Sequence, residues 1–108
     1  MADTPAAIFE EMKTKMTANP GSVAGINAVY QFKVTGDNGG EWYVDLTTGA
    51  PVISAGTKAG ANCTITVAAQ DFIDIKSGKL NGQMAFMTGK LKIAGDMGLA
   101  MKLNKIIG

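Results

Sequence analysis

At 108 residues the chain has the length of one domain, able to bury roughly two thirds of its unfolded surface and so to fold alone. Ten basic residues against nine carboxylates leave a formal charge of +1, which gives no electrostatic ground for nucleic-acid binding or for strong adhesion to an anionic membrane. With no histidine, His-based triads and His-ligated metal sites are excluded, and the single Cys63 cannot close an internal disulfide.

Thr4-Pro5 opens a first helix, with a hydroxyl acceptor at the cap and a proline where its missing N–H does no harm. Ile8, Phe9, Met12 and Met16 then lay an apolar stripe on one face, Glu11 and Lys15 stand four apart on the wet side, and Asn19-Pro20-Gly21 stops the helix. From Gly25 the period changes to two. Ile26, Ala28, Tyr30, Phe32 and Val34 alternate with Asn27, Val29, Gln31, Lys33 and Thr35, as a half-buried strand requires. The glycine-rich loop from Gly36 to Gly40 turns the chain, and Trp42, Val44 and Leu46 return antiparallel. Gly49-Ala50-Pro51 leads to a third, weaker strand, Val52 to Thr57, and Cys63, Ile65 and Val67 mark a fourth. Four strands in meander order predict a mainly antiparallel sheet with one face covered.

Two short helices follow. Phe72, Ile73 and Ile75 form the apolar side of the first, which ends at Ser77-Gly78 and lacks a good cap at Ala68-Ala69-Gln70, so its start should fray. Asn81 caps the second, Gly82 to Thr88, and Gly89 closes it. Leu91 and Ile93 face away from Lys90 and Lys92 in a fifth strand, and the intervening helices predict a crossover that pairs it parallel to its predecessor. Asp96 caps a last helix whose Met97, Leu99, Ala100, Met101, Leu103, Ile106 and Ile107 cover more than half its circumference. A terminal surface helix needs only a stripe. The surplus apolar side asks for a second partner, whether ligand, subunit or lipid.

Chemistry is sparse. Cys63 lies among apolar neighbours with no partner base and reads as an inert buried thiol, and Asp71 and Asp74, three apart on a helix, read as a solvated face. The Gly36–Gly40 loop lacks the spaced ligands of a calcium site, and Gly95-Asp96-Met97-Gly98 misses both glycine fingerprints of phosphate cradles. No acid, base or nucleophile constellation is present, so the chain is not expected to be an enzyme, and neither a metal nor a cofactor is implied.

What stands out is Leu80 to Leu103, LNGQMAFMTGKLKIAGDMGLAMKL, which sets Met84, Met87, Met97 and Met101 around a short strand with one aromatic, Phe86, and almost no anionic charge. Unbranched thioethers adapt to irregular partners, so such a segment can line a cavity as readily as fill a core. This run resembles the C-terminal signature of the sterol carrier protein type-2 family, in which an N-P-Q-x-A-F element leads into G-K-L-K-x-x-G and a L-A-M-K-L helix. Upstream, NAVYQFKVTG and EWYVDLTTG resemble the family's first hairpin, and ANCTITVAAQDFIDIKSGKL its fourth strand and following helix.

The resemblance covers nearly the whole chain and implies an α+β fold for a single domain, residues 1–108. Its five-stranded, mostly antiparallel sheet would be covered on one face by four to five helices, with an apolar tunnel between them. It implies an intracellular, non-enzymatic carrier of fatty acids, fatty acyl-CoAs, sterols or similar lipids, monomeric, with transient membrane contact and no nucleic-acid partner. Gln83 matches the motif glutamine at the tunnel. Phe86, Met87, Met101, Leu103 and Asn104 match wall and polar positions, with Met84 and Leu99 in the same methionine-rich wall. Phe9, Met12, Phe32 and Trp42 match the opposite wall. Gly82 stands where the motif has proline, and Met101 and Asn104 where relatives often carry glutamine. The last helix is expected to act as the gate. The absence of a secretory leader, a membrane span and a peroxisomal tripeptide points to a cytoplasmic address, although relatives also occur as peroxisomal modules. An accessory module of a larger lipid-metabolising enzyme, docking through its last helix, is the alternative.

Overall fold

The computed structural model describes residues 4–19, 21, 25–48 and 50–102. Helix α1 spans Pro5–Ala18, and the Thr4 hydroxyl accepts from the Ala7 N–H at 3.2 Å. Ile8, Phe9, Met12 and Met16, on one face at helical spacing, are all buried. Strands β1 (Val29–Thr35), β2 (Gly40–Asp45), β3 (Val52–Ala55), β4 (Cys63–Ala68) and β5 (Leu91–Gly95) form one sheet in the order β3-β2-β1-β4-β5. Helices α2 (Ala69–Ser77), α3 (Gly82–Met87) and α4 (Met97–Ala100) complete the four helices among the described residues.

The alternation fixes the inner face. In register, Tyr30, Phe32 and Val34 stand beside Cys63, Ile65 and Val67, while Phe32 and Tyr30 oppose Trp42 and Val44 across the hairpin. Leu91 and Ile93 extend the same row from β5. Phe9 of α1 and Phe72 of α2 press on this face, so the core is a layer between the sheet and these helices. Below it Ala85 of α3 and Ala100 of α4 are also buried.

Three expectations are corrected. The meander stops at three strands: β4 pairs parallel to β1, not with β3, and thereby sits between β1 and the edge strand β5. The fifth strand is antiparallel to β4, with Val67 opposite Leu91. One helix would carry the chain to the far end of the sheet, but two return it to the end it left, so the helical excursion closes an antiparallel pair. The half-buried reading of β1 also fails at Val29 and Gln31, which are buried although they face outward. Gln31 Nε2 donates to the carbonyls of Trp42 and Gly56, both at 3.0 Å, and its Oε1 accepts the Lys58 N–H at 2.9 Å. The loop after β3 is thereby drawn across the outer face. A fully paired amide can be buried without a desolvation penalty left over.

The same loop brings Lys58 Nζ to 3.3 Å from the buried Asp45 carboxylate, which also accepts the Thr47 N–H at 2.8 Å and the Thr47 hydroxyl at 2.5 Å. The two Thr47 bonds, then the lysine, hold the Asp45 carboxyl below its usual range against the opposing effect of burial. At the chain's end α4 is a single turn running into a turn at Met101 and Lys102. Leu103, Asn104, Ile106 and Ile107, which the sequence places in the same helix, lie outside the described residues.

Candidate functional site

The residues singled out from the sequence separate into a buried group and a surface group. Phe9 is the centre of the first. Its ring stacks on Trp42 at 4.7 Å and on Phe72 at 5.2 Å, and meets Phe32 edge-on at 5.2 Å. Phe32 and Phe72 lie 6.2 Å apart. Phe9, Met12 and Phe32 are buried and Trp42 half-buried. Offset and edge-on aromatic pairs of this kind add to the burial term, so these side chains hold α1 and α2 on the sheet.

The second group follows from two short, strongly capped helices. Asn81 Oδ1 accepts the N–H groups of Gln83 and Met84 at 2.8 and 3.2 Å, and Asp96 Oδ1 those of Gly98 and Leu99 at 2.8 and 3.3 Å. Each cap starts a helix whose small residue, Ala85 or Ala100, faces the core. The thioethers therefore turn outward: Met84 is 53%, Met87 70%, Met97 46% and Met101 83% exposed, with Phe86 at 39%. Gln83 is exposed beside them, and Leu99 is half-buried against the core. Met97 and Met101 stand four apart on one helical face, Met84 and Met87 three apart on another. Both helices pack on β5, at the edge of the sheet. Leu103 and Asn104 lie outside the described residues.

A glycine ends that strand for a steric reason. Gly95 has φ +110°, and a Cβ there would stand 2.4 Å from the Asn62 carbonyl oxygen. Asn62 ties three elements together: its side-chain oxygen accepts the Val29 N–H at 2.9 Å, its N–H donates to the Val29 carbonyl at 2.9 Å, and its carbonyl accepts the Asp96 N–H at 3.0 Å. The final glycine of the G-K-L-K-x-x-G pattern is thus the residue that lets β5 pass close to Asn62 before α4 begins.

Tyr30 and Phe72 are the site residues that sequence reasoning missed. The Tyr30 hydroxyl donates to the Leu99 carbonyl at 2.7 Å and so fastens α4 to the inner face of β1. Burial first, then the neighbouring Cys63 and Asp96, push its hydroxyl up to about 12, so it stays a donor at any physiological pH. Burial, with Asp96 second, also raises the Cys63 thiol, which keeps it protonated and unreactive. Among the described residues no cluster of three or more His, Cys, Asp or Glu is placed to hold a metal ion, and no helix is long and apolar enough to cross a membrane. The chemistry the described residues offer is apolar contact with the exposed Gln83 amide beside it.

A model of the SCP-2 sterol transfer family matches residues 9–108. The chain is 40% identical over 103 residues to sterol carrier protein 2 of Homo sapiens, covering 92% of this chain and 19% of that protein. It is 42% identical over 91 residues to hydroxysteroid dehydrogenase-like protein 2 of Xenopus tropicalis, covering 83% of this chain and 22% of that protein. The chain therefore spans about a fifth of the length of these curated relatives. Among solved structures, the sterol carrier protein domain 2 of Helicoverpa armigera superposes with a TM-score of 0.76 at 33% identity, over 92% of this chain and 81% of that one. The palmitated SCP2L2 of Aedes aegypti gives 0.80 at 28% identity, over 96% and 94%. By its sequence over residues 9–108 and by the fold of its described residues, the chain belongs to the SCP-2 sterol transfer family.

Proposed function

We propose that this domain is a non-enzymatic lipid carrier that takes up one long hydrocarbon chain, a fatty acid foremost, with fatty acyl-CoAs and sterols as further ligands. The observation that carries the reading is the outward-turned row of Met84, Phe86, Met87, Met97 and Met101 beside β5, an apolar surface that water leaves unsatisfied and an alkyl chain would cover. The palmitated state of the mosquito relative supports a fatty acid as the ligand. In this reading Met84, Phe86, Met87, Leu99, Met101 and Leu103 form the movable wall. The cluster of Phe9, Met12, Phe32 and Trp42 forms the fixed one, and Gln83 and Asn104 offer hydrogen bonds to a polar end.

The energetics are adequate. Each methylene moved out of water gains about 0.8 kcal/mol, so a sixteen-carbon chain gains on the order of 10 kcal/mol before association and ordering costs remove several. The remainder corresponds to a Kd of roughly micromolar or below, tight enough to carry and loose enough to release. Apolar walls discriminate weakly, by about 1–3 kcal/mol per misfit methylene, so breadth across lipids is expected.

Titration of delipidated protein with a fluorescent fatty acid, displaced by palmitate and checked by native mass spectrometry, tests the proposal. Saturable one-to-one binding, weakened about tenfold or more by Met87→Glu with Met101→Glu, is expected. Absence of saturation up to about 100 µM would overturn it. A second reading, an accessory module of a larger enzyme, is favoured by the small share of its relatives' length that the chain spans. Concentration-dependent sedimentation of lipid-free protein would support docking over carriage.

A further inference from the structure

Among the described lysines Lys76 alone is not exposed. It follows Phe72 by one turn of α2 and so shares its face, and Phe72 is buried against Phe9 of α1, ring on ring at 5.2 Å. That packing brings the Lys76 side chain within hydrogen-bond reach of Lys15 in the last turn of α1, with Glu11 one turn earlier on the same helix. Two lysine nitrogens can share a hydrogen bond only if one of them has given up a proton to accept it. Burial first, then the bond to Lys15 and its charge, hold the Lys76 ammonium below the usual lysine range, against the opposing charge of Glu11. The other flank of this turn is α3: Ile75 Cγ2 lies 3.9 Å from where a Cβ would stand on Gly82. Lys76 thus belongs to the turn where the layer of Phe9 and Phe72 meets the helix that carries Met84, Phe86 and Met87.

We propose that Lys76 is an acceptor for the acyl group of a fatty acyl thioester, such as an acyl-CoA, held by the domain. The proposal rests on the carrier reading above and adds a covalent step to it. A partly desolvated lysine beside a second cation is the arrangement that makes an amine nucleophilic near neutral pH. The neutral Lys76 nitrogen attacks the thioester carbonyl carbon, and the Lys15 ammonium stabilises the negative charge that develops on the carbonyl oxygen. A C–N bond forms, the C–S bond breaks, and the proton shed by nitrogen goes to the departing thiolate. The products are an Nε-acyl-lysine and a free thiol, and the step needs no oxidant or reductant. Each molecule reacts once, so the carrier is modified and nothing turns over. An amide at Lys76 also ends the like-charge contact with Lys15, and the attached chain would occupy the apolar surface that a free lipid needs.

The test is incubation of the delipidated full chain with palmitoyl-CoA at about pH 7.5, then hydroxylamine, which removes thioester-linked acyl groups and spares amides, then peptide mass spectrometry. Acylation of Lys76 is expected on the order of tenfold faster than that of the exposed Lys13, Lys33 and Lys90. Lys76→Arg should lose the fast modification with its circular dichroism unchanged. Lys15→Glu, which sets a carboxylate beside Lys76 and keeps it charged, should slow the reaction about tenfold. It should also raise the pH at which the rate levels off, which a merely structural role for Lys15 would leave in place. Uniform labelling of the lysines, or a Lys76 rate indifferent to Lys15→Glu, would overturn the assignment. Palmitate titration of the same protein separates the two proposals: uptake without selective acylation keeps the carrier and removes the acceptor, and selective acylation without uptake does the reverse.

Discussion

The Tyr30 hydroxyl is a polar group set in an apolar face, and the carbonyl it donates to, that of Leu99, is 69 residues away in sequence. An aromatic in an alternating strand reads as core, so the sequence placed Tyr30 correctly and was silent on the bond it makes. The raised value gives the bond a pH signature. The folded protein holds this proton up to about 12 against an ordinary 10.0, so the contribution is complete below pH 10 and lost as pH rises toward 12. A loss of stability on the order of 2 kcal/mol is expected over that interval. Urea midpoints measured across it should fall steeply for the native protein and more gently for Tyr30→Phe, which near neutral pH costs about 1 kcal/mol. Identical slopes for the two would show that the hydroxyl is not the group responsible.

Elements bounded by local signals were the most legible. Thr4, Asn81 and Asp96 cap the helices that the sequence assigns them, and Gly78 closes α2 in the left-handed region as expected. The antiparallel pairings of β1 with β2 and of β2 with β3 were legible from the turns between them, but the β1–β4 pairing was not, since it depends on which edge remains open after a three-strand meander, and nothing in the 63–68 stretch records it. Depth was legible for Phe9, Met12 and Phe32, whose spacing marks the core, but not for Gln31, buried by a loop that folds back over it. Gly82 offers a test at this scale. It occupies the first position of α3, where a helix makes no use of the N–H, and Asn81 before it has φ −74° and ψ 129°, which a following proline tolerates. The nearest atom to a Cβ at Gly82 is Ile75 Cγ2 at 3.9 Å, so there is room. Gly82→Pro should stabilise the fold by about 1 kcal/mol through the unfolded chain, seen as a Tm raised by several degrees. A lowered Tm would mean that the loose helix start serves the fold.

At the scale of the molecule the described methionines form two populations, Met12 and Met16 buried on the inner side of α1 and Met84, Met87, Met97 and Met101 in water. Brief peroxide treatment should convert the second set to sulfoxides before the first, resolved by peptide mass spectrometry, with the circular dichroism of the sheet retained and fatty-acid affinity reduced. Early oxidation of Met12 would contradict the packing described. The sheet itself divides into a hairpin-built half, β1 to β3, and a half in which α2 and α3 link β4 to β5, and the two halves share ladder bonds along one parallel seam. That seam has a timing. As the chain leaves the ribosome from its N-terminus, the first half has every strand it needs while one side of β1, with Tyr30 and Phe32 on it, is still an open edge. It stays open until Ala68 has emerged to meet Thr35, and in that interval a nascent chain is most exposed to pairing with a neighbour on the same message.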